Sequence, residues 1–168
     1  MANMLAVVTR AAQLLLVLIA TALIGNVRAN SESASASATS AINFAIFAEV
    51  LAWLAVLFGL ISGFVSALAI PIIAIAVDGA TALFTLIAAI VLSAKLTAVN
   101  CANFGTKPAD WIAFGSANDE KRCREIQGGV VFLWFIFITF SISLFLVFKE
   151  FRRGGGSLRN PSMSQIGV

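Results

Sequence analysis

Four long apolar runs, residues 11–27, 42–69, 72–94 and 128–148, are separated by short polar stretches along the chain. The hydrocarbon core of a bilayer is about 30 Å thick and takes roughly 20 residues of helix to cross. Each run therefore predicts one spanning helix, the first only just long enough. Between the first two runs lies a low-complexity Ser/Ala stretch, residues 30–40, whose small polar side chains cannot build a core and which predicts a plain connector. Pro71 disfavours helical backbone in the residue before it, which predicts a tight turn and an antiparallel hairpin of helices two and three. Residues 95–127 turn polar and hold four of the eight acidic side chains, so they form the one sizeable loop. The expected fold is an all-α membrane protein: an antiparallel four-transmembrane-helix bundle with one larger extracellular loop over residues 1–150. Residues 151–168, beginning Phe151-Arg152-Arg153-Gly154-Gly155-Gly156, are too polar and glycine-rich to order themselves and predict a flexible cytosolic tail.

Composition agrees with a protein that is nearly all membrane domain. Of 168 residues 60% are hydrophobic and 11% charged, and the mean hydropathy is +0.99, values that a water-soluble domain of this length would not carry without aggregating. The first run follows Arg10 and ends at Asn26-Val27-Arg28 without a clear small-residue cleavage site, so it reads as a retained helix and not a signal peptide. The net charge of +3 is dispersed, with no basic stripe interleaved with exposed aromatics, so nucleic acid is not an expected partner.

Lysines and arginines do not decide the orientation. Arg10, Lys149, Arg152, Arg153 and Arg159 fall on the side of the termini, against Arg28, Lys95, Lys107, Lys121, Arg122 and Arg124 on the other. Cys101 and Cys123 share the large loop, and a bridge between them would close it for about 3 kcal/mol in an oxidising compartment. That pairing puts the loop outside and both termini in the cytosol. Two free thiols on a cytosolic loop are the other reading.

Inside the spans, Glu49 and Asp78 stand out, because an acidic side chain at membrane depth costs a few kcal/mol on insertion scales. By helical rise Glu49 lies about 10 Å inside the outer end of helix two and Asp78 a similar distance inside the cytosolic end of helix three, so the two should not meet. Arg28 or Lys95 are expected to reach Glu49, and Arg10 to reach Asp78. On helix two, Ala55, Gly59, Gly63 and Ala67 recur every four residues on one face, a strip that suits close helix packing within the bundle or self-association. Helix four carries Phe132, Phe135, Phe137, Phe140, Phe145 and Phe148 round most of its circumference, so some of these face lipid. Trp111-Ile112-Ala113-Phe114 either dips into the headgroup layer or covers the helix ends.

Chemistry is not expected. The sequence has no histidine, no Gly-rich phosphate loop and no acidic metal cluster, and its loop charges (Asp110, Asp119, Glu120, Glu125, Lys107, Lys121, Arg122, Arg124) are interspersed as in a solvated loop. This predicts a protein that is not an enzyme and needs no cofactor or metal. A small transporter or channel subunit using Glu49 and Asp78 is the alternative, although helices two to four are uninterrupted and no internal repeat is visible.

Four spans, a hairpin between helices two and three and a second loop bounded by two cysteines resemble the MARVEL-domain membrane proteins. More narrowly, the chain resembles the fungal non-classical export protein family of eisosome-associated plasma-membrane proteins. The residues that carry this are Ser40-Ala41-Ile42-Asn43-Phe44-Ala45-Ile46-Phe47 opening helix two, Asp78 early in helix three, Cys101 after it, Lys121-Arg122-Cys123-Arg124 with Gln127 before helix four, and the ending Ser164-Gln165-Ile166-Gly167-Val168. Glu49 departs from the small or apolar residue expected there. The resemblance implies a multi-pass plasma-membrane protein that organises eisosome-type domains, responds to sphingolipid state and is linked to unconventional secretion. It further implies membrane lipids (sphingolipid or sterol), further copies of the chain and cytosolic scaffold proteins as partners.

Overall fold

The computed structural model describes residues 2–64, 71–103 and 105–153. Among these there are four α-helices and no strand: α1 (Ala2–Ala29), α2 (Ala36–Phe64), α3 (Pro71–Leu96) and α4 (Asp119–Arg153). Each contains a segment long and apolar enough to cross a membrane. At 1.5 Å per residue the 35 residues of α4 extend about 52 Å, well beyond a hydrocarbon core of about 30 Å, so this helix projects from the bilayer.

Helix ends follow capping groups and not the ends of the apolar runs. The Ser/Ala stretch expected to be a plain connector is helical from Ala36, six residues ahead of the apolar run. Ser35 Oγ accepts from Ala38 N at 3.1 Å, and Ser40 Oγ donates to Ala36 O at 2.9 Å, so these serines serve the helix backbone. Likewise α4 starts at Asp119, nine residues ahead of its apolar run. Asn118 Oδ1 accepts from Lys121 N at 2.9 Å, while Asp119 and Glu120 place negative charge on the first turn. α3 begins at Pro71, whose missing N–H costs nothing in a first turn. It ends at Leu96 and is followed by Thr97, a non-glycine residue at φ 63°, with Thr97 N donating to Ser93 O at 3.0 Å. The expected end of helix two at residue 69 lies outside the described residues.

Each helix packs on the next in chain order and α4 closes the ring onto α1, with α3 and α4 sharing the largest interface. Glutamine, asparagine and carboxyl side chains mark the register: Gln13 meets Ser143, and Asn26 Nδ2 donates to Glu125 Oε1 at 2.6 Å. The inner face of α2 is a column of alanines, Ala38, Ala41, Ala45, Ala48, Ala52 and Ala55, all buried at three- and four-residue spacing. Such a column lets neighbouring backbones approach and makes van der Waals contact the main attraction. α4 gives way to α1 in the same manner: a Cβ on Gly128 would stand 3.0 Å from Leu23 Cδ1, and one on Gly129 would collide with Ile24.

One end of the bundle is closed by the α3–α4 loop. Trp111, Ile112 and Ala113 are buried against Leu96, Ile126 and the Cys101–Cys123 disulfide, and Trp111 Nε1 donates to Leu96 O at 3.1 Å. The same loop is tied to the α1–α2 connection. Glu32 N and Ser33 N both donate to Gly115 O, at 2.9 and 3.2 Å. Gly115 has φ +96°, and a side chain there would run into the backbone of Ala34, so only glycine fits this crossing of two loops.

Candidate functional site

Asp78, Gln13 and Ser143, polar groups inside the apolar spans, gather around Arg10. Its Nη1 and Nη2 donate to Asp78 Oδ1 and Oδ2 at 2.9 and 2.7 Å, a two-bond ion pair in which the Asp78 side chain is 2% exposed. Because α1 and α3 are not neighbours in the ring, this pair ties the bundle across its diagonal. Arg10 Nη1 also donates to Gln13 Oε1 at 3.0 Å, and Gln13 Nε2 donates to Ser143 Oγ on α4 at 3.1 Å. The guanidinium lies 5.9 Å from the centroid of the Phe140 ring.

Gly59 makes room for this cation. A Cβ at position 59 would sit within 2.5 Å of Arg10 Cζ. Two parts of the small-residue strip are thereby placed: Ala55 is fully buried inside the bundle and Gly59 is covered by Arg10. The surroundings of Gly63, and Ala67 altogether, lie outside what is described.

Glu49 is 1% exposed, on the alanine face of α2. The cations expected near it are engaged elsewhere, since Arg28 Nε donates to Asn43 Oδ1 at 3.0 Å and Lys95 Nζ to Ser37 Oγ at 2.6 Å. Neither carboxyl oxygen has a hydrogen-bond partner of good geometry among the described residues. Its polar neighbour is Thr21 of α1, whose hydroxyl accepts from Trp53 Nε1 at 3.1 Å. The expectation that Glu49 sits near an interface with a basic partner is thus replaced by full enclosure, because position 49 falls on the same buried face of α2 as Ala45, Ala48 and Ala52.

At the loop end, Cys101 and Cys123 are joined in a disulfide. The neighbouring Arg122, expected among solvated loop charges, is instead 2% exposed. Its Nε donates to Ile112 O and its Nη1 to Val27 O, both at 3.1 Å, and Nη1 also donates to Ser31 Oγ. One guanidinium so joins the end of α1, the α1–α2 connection and the loop lid. Sequence reasoning missed Arg122, Gln13 and Ser143. Gln13 was signalled by its place three residues after Arg10 in an otherwise apolar run, and Arg122 by its place beside a bridged cysteine. Arg124 and Lys121, by contrast, are exposed and pair along the helix with Glu120 and Glu125 at 2.7 and 3.7 Å. Among the described residues no three His, Cys, Asp or Glu side chains gather as a metal site would require.

Comparison with known proteins adds two findings. The family model described as MARVEL, membrane-associating domain, matches residues 4–146. Non-classical export protein 2 of Saccharomyces cerevisiae (strain ATCC 204508 / S288c) is 31% identical over 117 residues, which is 67% of this chain and 66% of that protein. No solved structure matches the chain.

Proposed function

This chain belongs to the MARVEL family of membrane-associating domains, and from that premise we propose that it is a non-enzymatic organiser of the plasma membrane. In this reading it self-associates and sorts lipids, sphingolipid or sterol, within eisosome-type domains, in concert with cytosolic scaffold proteins. A part in unconventional secretion is drawn from the name of its relative, non-classical export protein 2.

The observation that carries the reading is the division of the bundle's side chains. Large apolar residues point outward from every helix, including Leu15 and Leu18, Leu54 and Ile61, Leu83 and Ile90, Phe135 and Phe145. The strong polar groups turn inward, and Asp78 has both oxygens taken by Arg10. A surface made almost wholly of lipid contact, around an interior whose ion pair is already closed, suits a protein whose partners are lipids and other spans. It suits a relay through Asp78 poorly, because a relay group must be free to exchange its partner.

The bundle is read as antiparallel with its termini in the cytosol. Contacts between the start of one helix and the end of the next, such as Lys95 with Ser37 and Asn26 with Glu125, support the first point. The Cys101–Cys123 bridge supports an extracellular loop, since disulfides persist in oxidising compartments.

Fluorescently tagged protein in fungal cells, together with lipid analysis of the protein purified in native membrane discs, tests the proposal. Immobile patches at the cell surface and enrichment of a lipid class over the bulk membrane are expected. A uniform surface distribution with lipids in bulk proportion overturns it.

A further inference from the structure

Glu49 is the one described acid inside the apolar spans with no cation beside it and no hydrogen-bond partner of good geometry. The charged groups on every helix packed around it are committed elsewhere. On α1, Arg10 is bound to Asp78 and Arg28 to Asn43; on α3, Asp78 is bound to Arg10 and Lys95 to Ser37; on α4, Arg122 is bound to Val27, Ser31 and Ile112. What adjoins Glu49 on its own helix is the alanine column, Ala45, Ala48 and Ala52, all fully buried. Across from it stands the Thr21 hydroxyl, which already accepts from Trp53 and has its own proton to give.

A carboxylate placed there would have neither counter-charge nor enough donors, inside a bundle that is itself surrounded by hydrocarbon. A neutral carboxyl needs only one acceptor for its proton. We propose that Glu49 is a proton-binding site: the closed bundle holds one proton on this carboxyl and gives it up to water only when the helices part. The balance is a single proton, with COOH in the closed state passing to COO⁻ and a hydrated proton in the open one. The inference stands apart from the lipid-organising role and does not require it. Its consequence is a linkage between proton activity and closure of the bundle. Because the closed form binds the proton and the open form releases it, raising the pH favours opening, by up to about tenfold in the equilibrium constant per pH unit.

The chain contains five glutamates, Glu32, Glu49, Glu120, Glu125 and Glu150, so isotope-edited infrared spectroscopy can single out one. The full chain, labelled with carboxyl-¹³C glutamate and reconstituted in phosphatidylcholine vesicles at neutral pH, should show one protonated glutamate carbonyl band. Glu49→Asp, which keeps an acid but removes the label, should abolish that band, while Glu120→Gln should leave it. As a second readout, the stability of the parent in detergent should fall with rising pH, and Glu49→Gln, a permanent neutral mimic, should lose that slope. Spectra in which all five glutamates are ionised, or a band that survives Glu49→Asp, overturn the proposal. So does a pH slope unchanged in Glu49→Gln; should that variant fail to fold, the infrared result from Glu49→Asp decides alone.

Discussion

The guanidinium of Arg10 lies in the space that a side chain at Gly59 would occupy. An intramembrane glycine usually suggests two backbones in contact; here it opens a pocket in α2 through which a cation of α1 reaches the carboxylate of α3. Gly59→Leu should therefore displace Arg10 from Asp78 and leave two buried charges unpaired, at a cost of about 3 kcal/mol. Gly25→Leu is the matched control, because nothing lies within 4 Å of a Cβ there, and it should cost about 0.5 kcal/mol or less. Unfolding of the purified variants in detergent measures both. Equal stabilities for the two would mean that Arg10 adjusts without losing its partner.

The ion pair itself predicts a non-additive cycle. Asp78→Asn or Arg10→Gln alone strands one charge among Phe140, Gln13 and the α2 backbone, and each should lower stability by about 3 kcal/mol. The double variant removes both charges and should cost less than the sum of the singles by at least about 1 kcal/mol. Additive losses in the same unfolding assay would show that the two residues act separately.

Which parts of this were legible in the sequence depends on the length scale of the signal. Hydropathy located the four spans because a bilayer imposes a run of about 20 apolar residues, whatever the packing. It could not locate the helix ends, since Ser35 and Asn118 cap helices that start in polar sequence outside the apolar runs. Arg10 and Asp78 were brought together by depth alone, both lying a few residues inside the same end of the bundle. Depth misled at Glu49, where the rotational setting of α2 decides burial: position 49 falls on the same face as Ala45, Ala48 and Ala52. Arg122 carried no signal beyond its place beside Cys123, for a related reason. Among alternating charges only the helix register, fixed by the neighbouring Cys123, turns one arginine inward and leaves Arg124 outside.

The loop disulfide should hold the lid closed. Cys101 and Cys123 are 22 residues apart in sequence, and opening such a loop removes a constraint of about 3 kcal/mol. Cys101→Ser should raise hydrogen exchange at residues 111–114 well before it affects α1 to α4. In intact cells neither cysteine of the parent should react with a membrane-impermeant thiol reagent until a reductant is added. Reaction of both thiols without reductant would remove the main support for an extracellular loop.

Arg122 is the counterpart of Arg10 at the loop end, and its three acceptors come from separate segments: Val27 O from α1, Ser31 Oγ from the α1–α2 connection and Ile112 O from the lid. Removing it leaves Ile112 O without its donor and takes one of two from Val27 O, which keeps the Ser31 hydroxyl, and an unsatisfied buried group costs about 1–3 kcal/mol. Arg122→Ala should thus destabilise the protein by about 3 kcal/mol. Arg122→Lys should recover only part of this, because one ammonium cannot span acceptors that the planar guanidinium reaches together. Arg124→Ala, which removes an exposed pair with Glu120 one turn away, should cost about 0.5 kcal/mol. The arrangement also separates this arginine from the disulfide. If the lid is held chiefly by the bridge, hydrogen exchange at 111–114 will rise in Cys101→Ser and stay low in Arg122→Ala. If the guanidinium is the tie between the two loops, Arg122→Ala will expose Glu32 and Ser33, whose amides donate to Gly115 O, along with the lid. The second pattern is expected, because Cys123 anchors the lid only to α3 and α4, and nothing in that bond reaches α1.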